Sequence, residues 1–334
     1  MIYIRTDMNC VIATGHVMRC LSIADAARMI GEKSTFILAD EQAKELVEGR
    51  GYDTIILHTQ WDDMDSEVEI LAETIRNYNI KSILIDSYQV TQYYLSAVTA
   101  MTKTIYIDDR NAFVYPVDKL ICYANYYEKF KYAERYDASK LYLGLQYVPL
   151  RKAFCGCEKK EIRKLAGRLL FMSGGTDNYD VLRSLLEKID TTIYEQIDVI
   201  CGMYYPHYED LYEKYSGIRN VRIHKAVNDI ENYMRQADLA VAAGGMTLYE
   251  LCAIGTPTIS YAIADNQLEN VKTFQQDDII PYAGDARTED VISNIIEFIE
   301  RYKQDEAWRQ AKSQSMQKQV DGKGALRIAE IANE

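Results

Sequence analysis

His16 is the histidine whose setting suits proton transfer. It lies in Arg5-Thr6-Asp7-Met8-Asn9-Cys10-Val11-Ile12-Ala13-Thr14-Gly15-His16-Val17-Met18-Arg19-Cys20, where a strand-like run passes through a loop into a helical pattern. An imidazole has an ordinary pKa near 6.5, and the amino end of a helix disfavours its charged form, so a histidine here can accept a proton. Capping or packing is the usual role of an isolated histidine. Flanking Gly15 and the strand-end position favour the chemical role. His58, His207 and His224 sit in unrelated segments with no HxH or HxxxH spacing, so a histidine-held metal is not expected. Asp63-Met64-Asp65 has the spacing of a paired-carboxylate cation site. It lies, however, in the acidic run Trp61 to Glu67 leading into a helix, where carboxylates complement the helix dipole. Neither a metal nor a cofactor is expected.

Two glycine pairs suggest phosphate contacts. Phe171-Met172-Ser173-Gly174-Gly175-Thr176-Asp177 reads as a strand, a glycine pair and a helix start, which lets backbone N–H groups approach an anion. A tight turn with no ligand explains Gly174 and Gly175 equally well. Ala242-Ala243-Gly244-Gly245-Met246-Thr247-Leu248-Tyr249-Glu250 is more specific. Gly244, Gly245, Met246 and Thr247 open a helix toward a diphosphate, and the Glu250 carboxylate can accept from both hydroxyls of a ribose. Asn266, Gln267 and Asn270 follow with amides that both donate to and accept from sugar hydroxyls.

These residues need strand ends to hold them. In the first half, Ile2–Arg5, 35–38, 54–57, 82–85, 104–107 and 120–122 are β-branched, apolar runs separated mostly by helix-length stretches, the pattern of a parallel sheet covered by helices. Val17, Leu21, Ala24 and Ala27 form an apolar stripe on the first helix. The rhythm stops from about Leu145 to Arg163, around Val148-Pro149-Leu150-Arg151, and restarts with strands at 169–172, 198–201, 221–223, 239–242 and 258–261. Two doubly wound domains are therefore expected, at 1–148 and 149–334, with the final helix a candidate to pack back on the first. Ligands of such folds bind beyond the carboxyl ends of the strands.

The 334 residues suit two domains. With 38 basic against 50 acidic residues, a net charge of −12 disfavours nucleic acid and anionic membranes as partners. No apolar stretch reaches the roughly 20 residues of a membrane span, and no leader-like start is seen, so a cytoplasmic protein without stable membrane insertion is expected. Seven scattered cysteines suggest neither a disulfide framework nor a zinc knuckle. The bias to 27 tyrosines against 7 phenylalanines has no functional reading at this level.

Arg5-x-Asp7 with Gly15-His16-x-x-Arg19-Cys20, Ile107-Asp108-Asp109, Leu143-Gly144 with Pro149-Leu150-Arg151, Gly244-Gly245-x-Thr247-Leu248-Tyr249-Glu250 and Asn266-Gln267 run through both halves in order. In these the chain resembles the UDP-sugar hydrolases of pseudaminic acid biosynthesis, which act on UDP-2,4-diacetamido-2,4,6-trideoxy-β-L-altropyranose and are similar in fold to MurG-type glycosyltransferases. The resemblance implies an α/β protein of the GT-B fold, with two Rossmann-like doubly wound domains facing a central cleft. It implies His16 as the general base, with Asn266 and Tyr88 near the reacting sugar. Arg5, Asp7, Gly15, Arg19, Gly174, Gly175, Thr176, Gly244, Gly245, Met246, Thr247, Glu250, Gln267 and Asn270 are the expected substrate and UDP contacts. The implied reaction is metal-free attack of water at the anomeric carbon, with inversion, and UDP as leaving group.

Other readings share this site. A GT-B glycosyltransferase of spore-coat or surface polysaccharide synthesis would pass the sugar to an acceptor instead of water. A nucleotide-sugar 2-epimerase would need an acid/base set at the neighbouring carbon, and none is evident. A sugar-nucleotide sensor would keep the pocket without turnover, and His16 argues against it. The partner expected in each case is a UDP-sugar; protein partners are not indicated.

Overall fold

The computed structural model describes residues 1–12 and 14–334; Ala13 lies outside them. The chain divides into two units, one made of Met1–Lys152 together with Gly322–Glu334, the other of Ala153–Asp321. The division falls a few residues later than the sequence rhythm suggests, and the last residues join the first unit.

In the first unit the strands are β1 (Ile2–Thr6), β2 (Ser34–Leu38), β3 (Asp53–Ile56), β4 (Ser82–Asp86), β5 (Lys103–Ile107), β6 (Lys119–Cys122) and β7 (Leu141–Leu143). Among the described residues they form one parallel sheet in the order β3-β2-β1-β4-β5-β6-β7. Its helices are α1 (Gly15–Met29), α2 (Lys44–Gly49), α3 (Val68–Asn77) and α4 (Gln92–Thr99). The second unit carries β8 (Arg168–Met172), β9 (Gln196–Cys201), β10 (Val221–Lys225), β11 (Leu239–Ala243), β12 (Thr258–Ala262) and β13 (Tyr282–Asp285). These strands pair in the order β10-β9-β8-β11-β12-β13, again in parallel. The helices that follow are α5 (Val181–Lys188), α6 (Tyr208–Tyr215), α7 (Ile230–Gln236), α8 (Thr247–Ile254), α9 (Asp265–Gln276), α10 (Val291–Tyr302) and α11 (Glu306–Gln319). Helix α12 (Gly324–Asn333) returns to the first unit.

Strands covered on both faces need apolar residues throughout rather than alternation. The central strands show this: Ile2 to Thr6 and Leu239 to Ala243 are buried without a break. The stripe expected on α1 is fully buried at Val17, Leu21, Ala24 and Ala27. One apolar core gathers Ile37, Leu71, Ile83, Tyr94 and Leu120 in the first unit, and another gathers Phe171, Leu185, Val199, Val241 and Ile295 in the second. Helix α12 buries Ile328, Ala329 and Ala332, and packs along α1. The Ser82 hydroxyl and the Lys119 ammonium donate to its terminal carbonyls at Ala332 (2.9 Å) and Ile331 (3.1 Å). Edge strands β7 and β13 were not legible beforehand, being short and, in β13, interrupted by Gly284 in the left-handed region.

Each strand order reverses once. From β1 the chain winds outward through β2 and β3, then crosses to β4 on the other side. From β8 it winds through β9 and β10, then crosses to β11. Crevices open at such reversals because the loops after the two central strands diverge. The chain after β1 leads to His16 at the start of α1, and β4 ends at Asp86 just ahead of Tyr88; the loops after β8 and β11 carry the two glycine pairs.

Candidate functional site

Parallel pairing of β1 with β4 sets Thr6 opposite Asp86, so the end of β4 faces the start of α1. His16, second residue of α1, is buried, and its Nδ1 lies 2.8 Å from Asp86 Oδ1. Arg19, one turn further along α1, binds both oxygens of Asp86 through Nε and Nη2, and its Nη1 donates to the Tyr123 hydroxyl and reaches Asp109 at 3.4 Å. Arg19 Nη2 also stands 2.9 Å from His16 Nδ1. Burial alone would push Asp86 up, but the Arg19 guanidinium, followed by His16, overcomes this and holds its carboxyl well below the usual carboxylate range. Asp86 is therefore an ionised acceptor. A proton on His16 Nδ1 makes the 2.8 Å contact a hydrogen bond to Asp86, whereas in the other tautomer Nδ1 accepts from Arg19 Nη2. The tautomer that donates to Asp86 leaves Nε2 as a proton acceptor with no partner among the described residues.

Tyr88 packs edge-on against the imidazole, ring centroids 4.5 Å apart, and its hydroxyl donates to Asp109 at 2.8 Å. Burial and the Asp109 carboxylate both raise its phenol, so Tyr88 serves as a donor, not a base. Arg110 lies over the Tyr88 ring at 5.1 Å.

Three residues expected at the ligand are committed to the protein. Arg5 is fully buried, its Nε and Nη2 donating to both oxygens of Glu67 at 2.8 and 2.7 Å and its Nη1 to Asp7. Asp7 also accepts the Ala39 amide at 2.8 Å. Arg19 is held as described above. Buried charges need such partners, and Arg5 and Asp7 are satisfied by them, while Arg19 keeps a partly exposed side chain. Gly15, by contrast, is exposed at the start of α1.

In the second unit, Gly174 (φ +85°) and Gly175 follow β8 and are exposed, with Thr176 half-buried beside them. No helix begins there. Asp177 takes the amides of Val181 (3.1 Å) and Leu182 (3.0 Å), so the first free donors of α5 are already satisfied. The glycine turn leans instead on Gly202, after β9: a Cβ on that residue would stand 2.1 Å from the Gly174 oxygen and 2.3 Å from the Gly175 oxygen.

Helix α8 keeps its amino end open. Leu248 is its first residue with a bonded amide, to Gly245 O at 3.1 Å; among the described residues Met246 and Thr247 have no backbone acceptor. Gly244 must be glycine because a Cβ would meet Val271 Cγ1 at 2.5 Å. Asn270 is buried and fixes this turn, donating to Gly244 O and accepting from the Tyr249 hydroxyl, both at 3.0 Å. Gln267 Oε1 accepts the Ile263 amide at 3.0 Å. Of the three amides expected at a sugar, Asn266 is the exposed one, in the first turn of α9; Glu250 is half-buried on α8. Asp63 accepts from the Ser66 amide (3.4 Å) and Asp65 from the Thr91 hydroxyl (2.5 Å), which caps α4.

Asp86 was missed in the sequence. Its signal was an acidic residue ending an otherwise apolar strand, Ser82-Ile83-Leu84-Ile85-Asp86, next to the strand that leads to His16.

Two Rossmann-like units with their sites at the sheet reversals define a protein with the fold of the GT-B glycosyltransferases. Over 99% of both chains the structure matches that of Acinetobacter baumannii MurG, with a TM-score of 0.73 and 10% identity. Residues 158–315 match the family Glycosyl transferases group 1. A relative at 23% identity over 283 residues is the uncharacterized protein MJ1062 of Methanocaldococcus jannaschii, covering 80% of this chain and 56% of that protein. The spore coat polysaccharide biosynthesis protein SpsG of Bacillus subtilis is 26% identical over 140 residues, 41% of each. The chain thus spans about half the length of the curated relatives it matches. Among the described residues no helix is long and apolar enough to cross a membrane.

Proposed function

We propose that the chain hydrolyses a UDP-linked amino-deoxy sugar at its anomeric carbon. Water attacks that carbon while His16 Nε2 takes its proton; the bond from carbon to the UDP oxygen breaks, the configuration inverts, and UDP departs with its new charge against the amino end of α8. The observation that carries the reading is the His16 ring, anchored through Nδ1 on Asp86 with Nε2 unpartnered among the described residues. Glu250 takes the ribose hydroxyls, and Asn266 and Tyr88 contact the sugar. Because Asp63 is held by the Ser66 amide and Asp65 by the Thr91 hydroxyl, no metal is assigned a step.

UDP-2,4-diacetamido-2,4,6-trideoxy-β-L-altropyranose is the first substrate to test. The purified protein is incubated with a panel of UDP-sugars, without acceptor and with chelator, while free UDP and the anomer of the released sugar are followed by NMR. Prompt release of UDP with the inverted anomer is expected; binding without release overturns the reading. The likeness to SpsG and to group 1 glycosyl transferases favours a second reading, transfer to an acceptor hydroxyl. Release only when an acceptor is added would establish it.

A further inference from the structure

We propose that Asp86 and Arg19 are a matched pair of positioning residues that set how readily His16 takes a proton. Asp86 holds the ring through Nδ1, leaving Nε2 without a partner among the described residues, and Arg19 cancels the carboxylate charge beside it. The inference rests on the reading of His16 as the base.

A carboxylate alone beside an imidazole stabilises the imidazolium and keeps the base protonated at neutral pH. Here the carboxylate is not alone. Arg19 spans both oxygens of Asp86 and stands 2.9 Å from the His16 nitrogen that faces Asp86. The ring thus meets two opposite charges at nearly the same distance, 2.8 and 2.9 Å. Asp86 supplies direction while Arg19 removes most of its field. The geometry also anchors Arg19 independently of His16, through the Tyr123 hydroxyl and Asp109. The surroundings complete the balance. Tyr88 forms a T-shaped pair with His16 and donates its hydroxyl to Asp109, Arg110 lies over the Tyr88 ring, and the Cys20 thiol donates to Asp86 Oδ2 at 3.4 Å. Of the charged groups, Arg19 and Arg110 oppose Asp86 and Asp109, so removing either member of the inner pair leaves an excess of one sign at the ring.

The two deletions then act in opposite directions. Arg19→Gln leaves Asp86 uncompensated, favours the imidazolium and raises the His16 midpoint by about 1–2 pH units. Asp86→Asn keeps an oxygen to accept from Nδ1 but leaves the guanidinium uncompensated, lowering the midpoint by a similar amount. Arg19→Lys retains the charge and stays within about half a unit of the wild type.

The test is a 15N-histidine NMR titration of the full chain and these variants, with His16 assigned by its loss in His16→Gln. Opposite displacements in Arg19→Gln and Asp86→Asn, with Arg19→Lys near the wild type, are expected, and the acid limb of kcat/KM for UDP release should move in step. Displacements of the same sign, or none in either variant, overturn the proposal. A merely structural pair would lower stability without splitting the midpoints in sign. If a variant does not fold, the wild-type spectrum still decides: a proton on Nδ1 is expected, and a proton on Nε2 overturns the proposal. Because the titration needs no turnover, it separates failure of this inference from failure of the hydrolase reading.

Discussion

Replacing Gly202 with alanine tests whether the turn after β8 is held in place by its neighbour. The added Cβ would sit 2.1 Å from the Gly174 oxygen, 2.3 Å from the Gly175 oxygen and 2.5 Å from the Gly175 carbonyl carbon. All three are backbone atoms, so no flexible side chain can move aside. Contacts of this kind need at least 3.0 Å, so the turn must retreat by roughly 1 Å. Overpacking of a close site costs about 1–3 kcal/mol. Should the retreat fall on Gly174 and Gly175, the same energy is lost from diphosphate binding, a fall in UDP affinity of about 5- to 150-fold at 1.4 kcal/mol per factor of ten. Calorimetric titration with UDP, paired with thermal melting, measures both quantities. Gly217→Ala is the control, since a Cβ there meets nothing within 4 Å. A Gly202→Ala protein that melts and binds UDP as the control does would refute the close-approach argument and detach the glycine turn from the nucleotide.

His16→Ala should slow UDP release by about two to four orders of magnitude while UDP affinity stays similar, as stopped assays and titration will show. Glu250→Ala should raise the dissociation constant for UDP more than it lowers the turnover number; unchanged affinity counts against a ribose contact. Glu67→Ala strips the fully buried Arg5 of its bidentate partner and should cost about 3–5 kcal/mol in urea unfolding, with the fold's first unit lost ahead of any effect on catalysis. The depressed Asp86 carboxyl stabilises the fold at pH values above the ordinary carboxylate range, a contribution lost as pH falls through the lower folded value. The stability gap between wild type and Asp86→Asn should therefore narrow below about pH 4 in acid unfolding curves.

Much of the architecture was written in short-range pattern. Continuous apolar runs such as Ser82 to Ile85 and Leu239 to Ala242 announce covered parallel strands, because both faces must be dry. What pattern does not reveal is which polar group meets which across the sheet. Arg5, Asp7 and Arg19 had the residue types of ligand contacts, yet their partners Glu67 and Asp86 lie 62 and 67 positions further along from Arg5 and Arg19. Only the pairing of β1 with β4 brings the latter together. Likewise the bonds of Asn270 to Gly244 and Tyr249 depend on how α8 and α9 pack, which the sequence order alone does not show. The tyrosine bias has the same origin. Tyr52, Tyr94, Tyr115, Tyr132 and Tyr205 pack their rings inward and donate their hydroxyls to Asp25, Glu67, Asp108 and Asp180, a task phenylalanine cannot perform.

The return of α12 to the first unit bears on how the molecule can be taken apart. Residues 153–321 form an uninterrupted stretch that a gene fragment can encode as it stands, whereas the first unit is assembled from two separated pieces of the chain. A fragment stopping at Lys152 would leave Ser82 and Lys119 without the carbonyls they bind and uncover the side of α1 opposite Ile328. To isolate that half, the two pieces would have to be spliced with a short linker or mixed as separate polypeptides, and recovery of helical signal on mixing would report their reassembly.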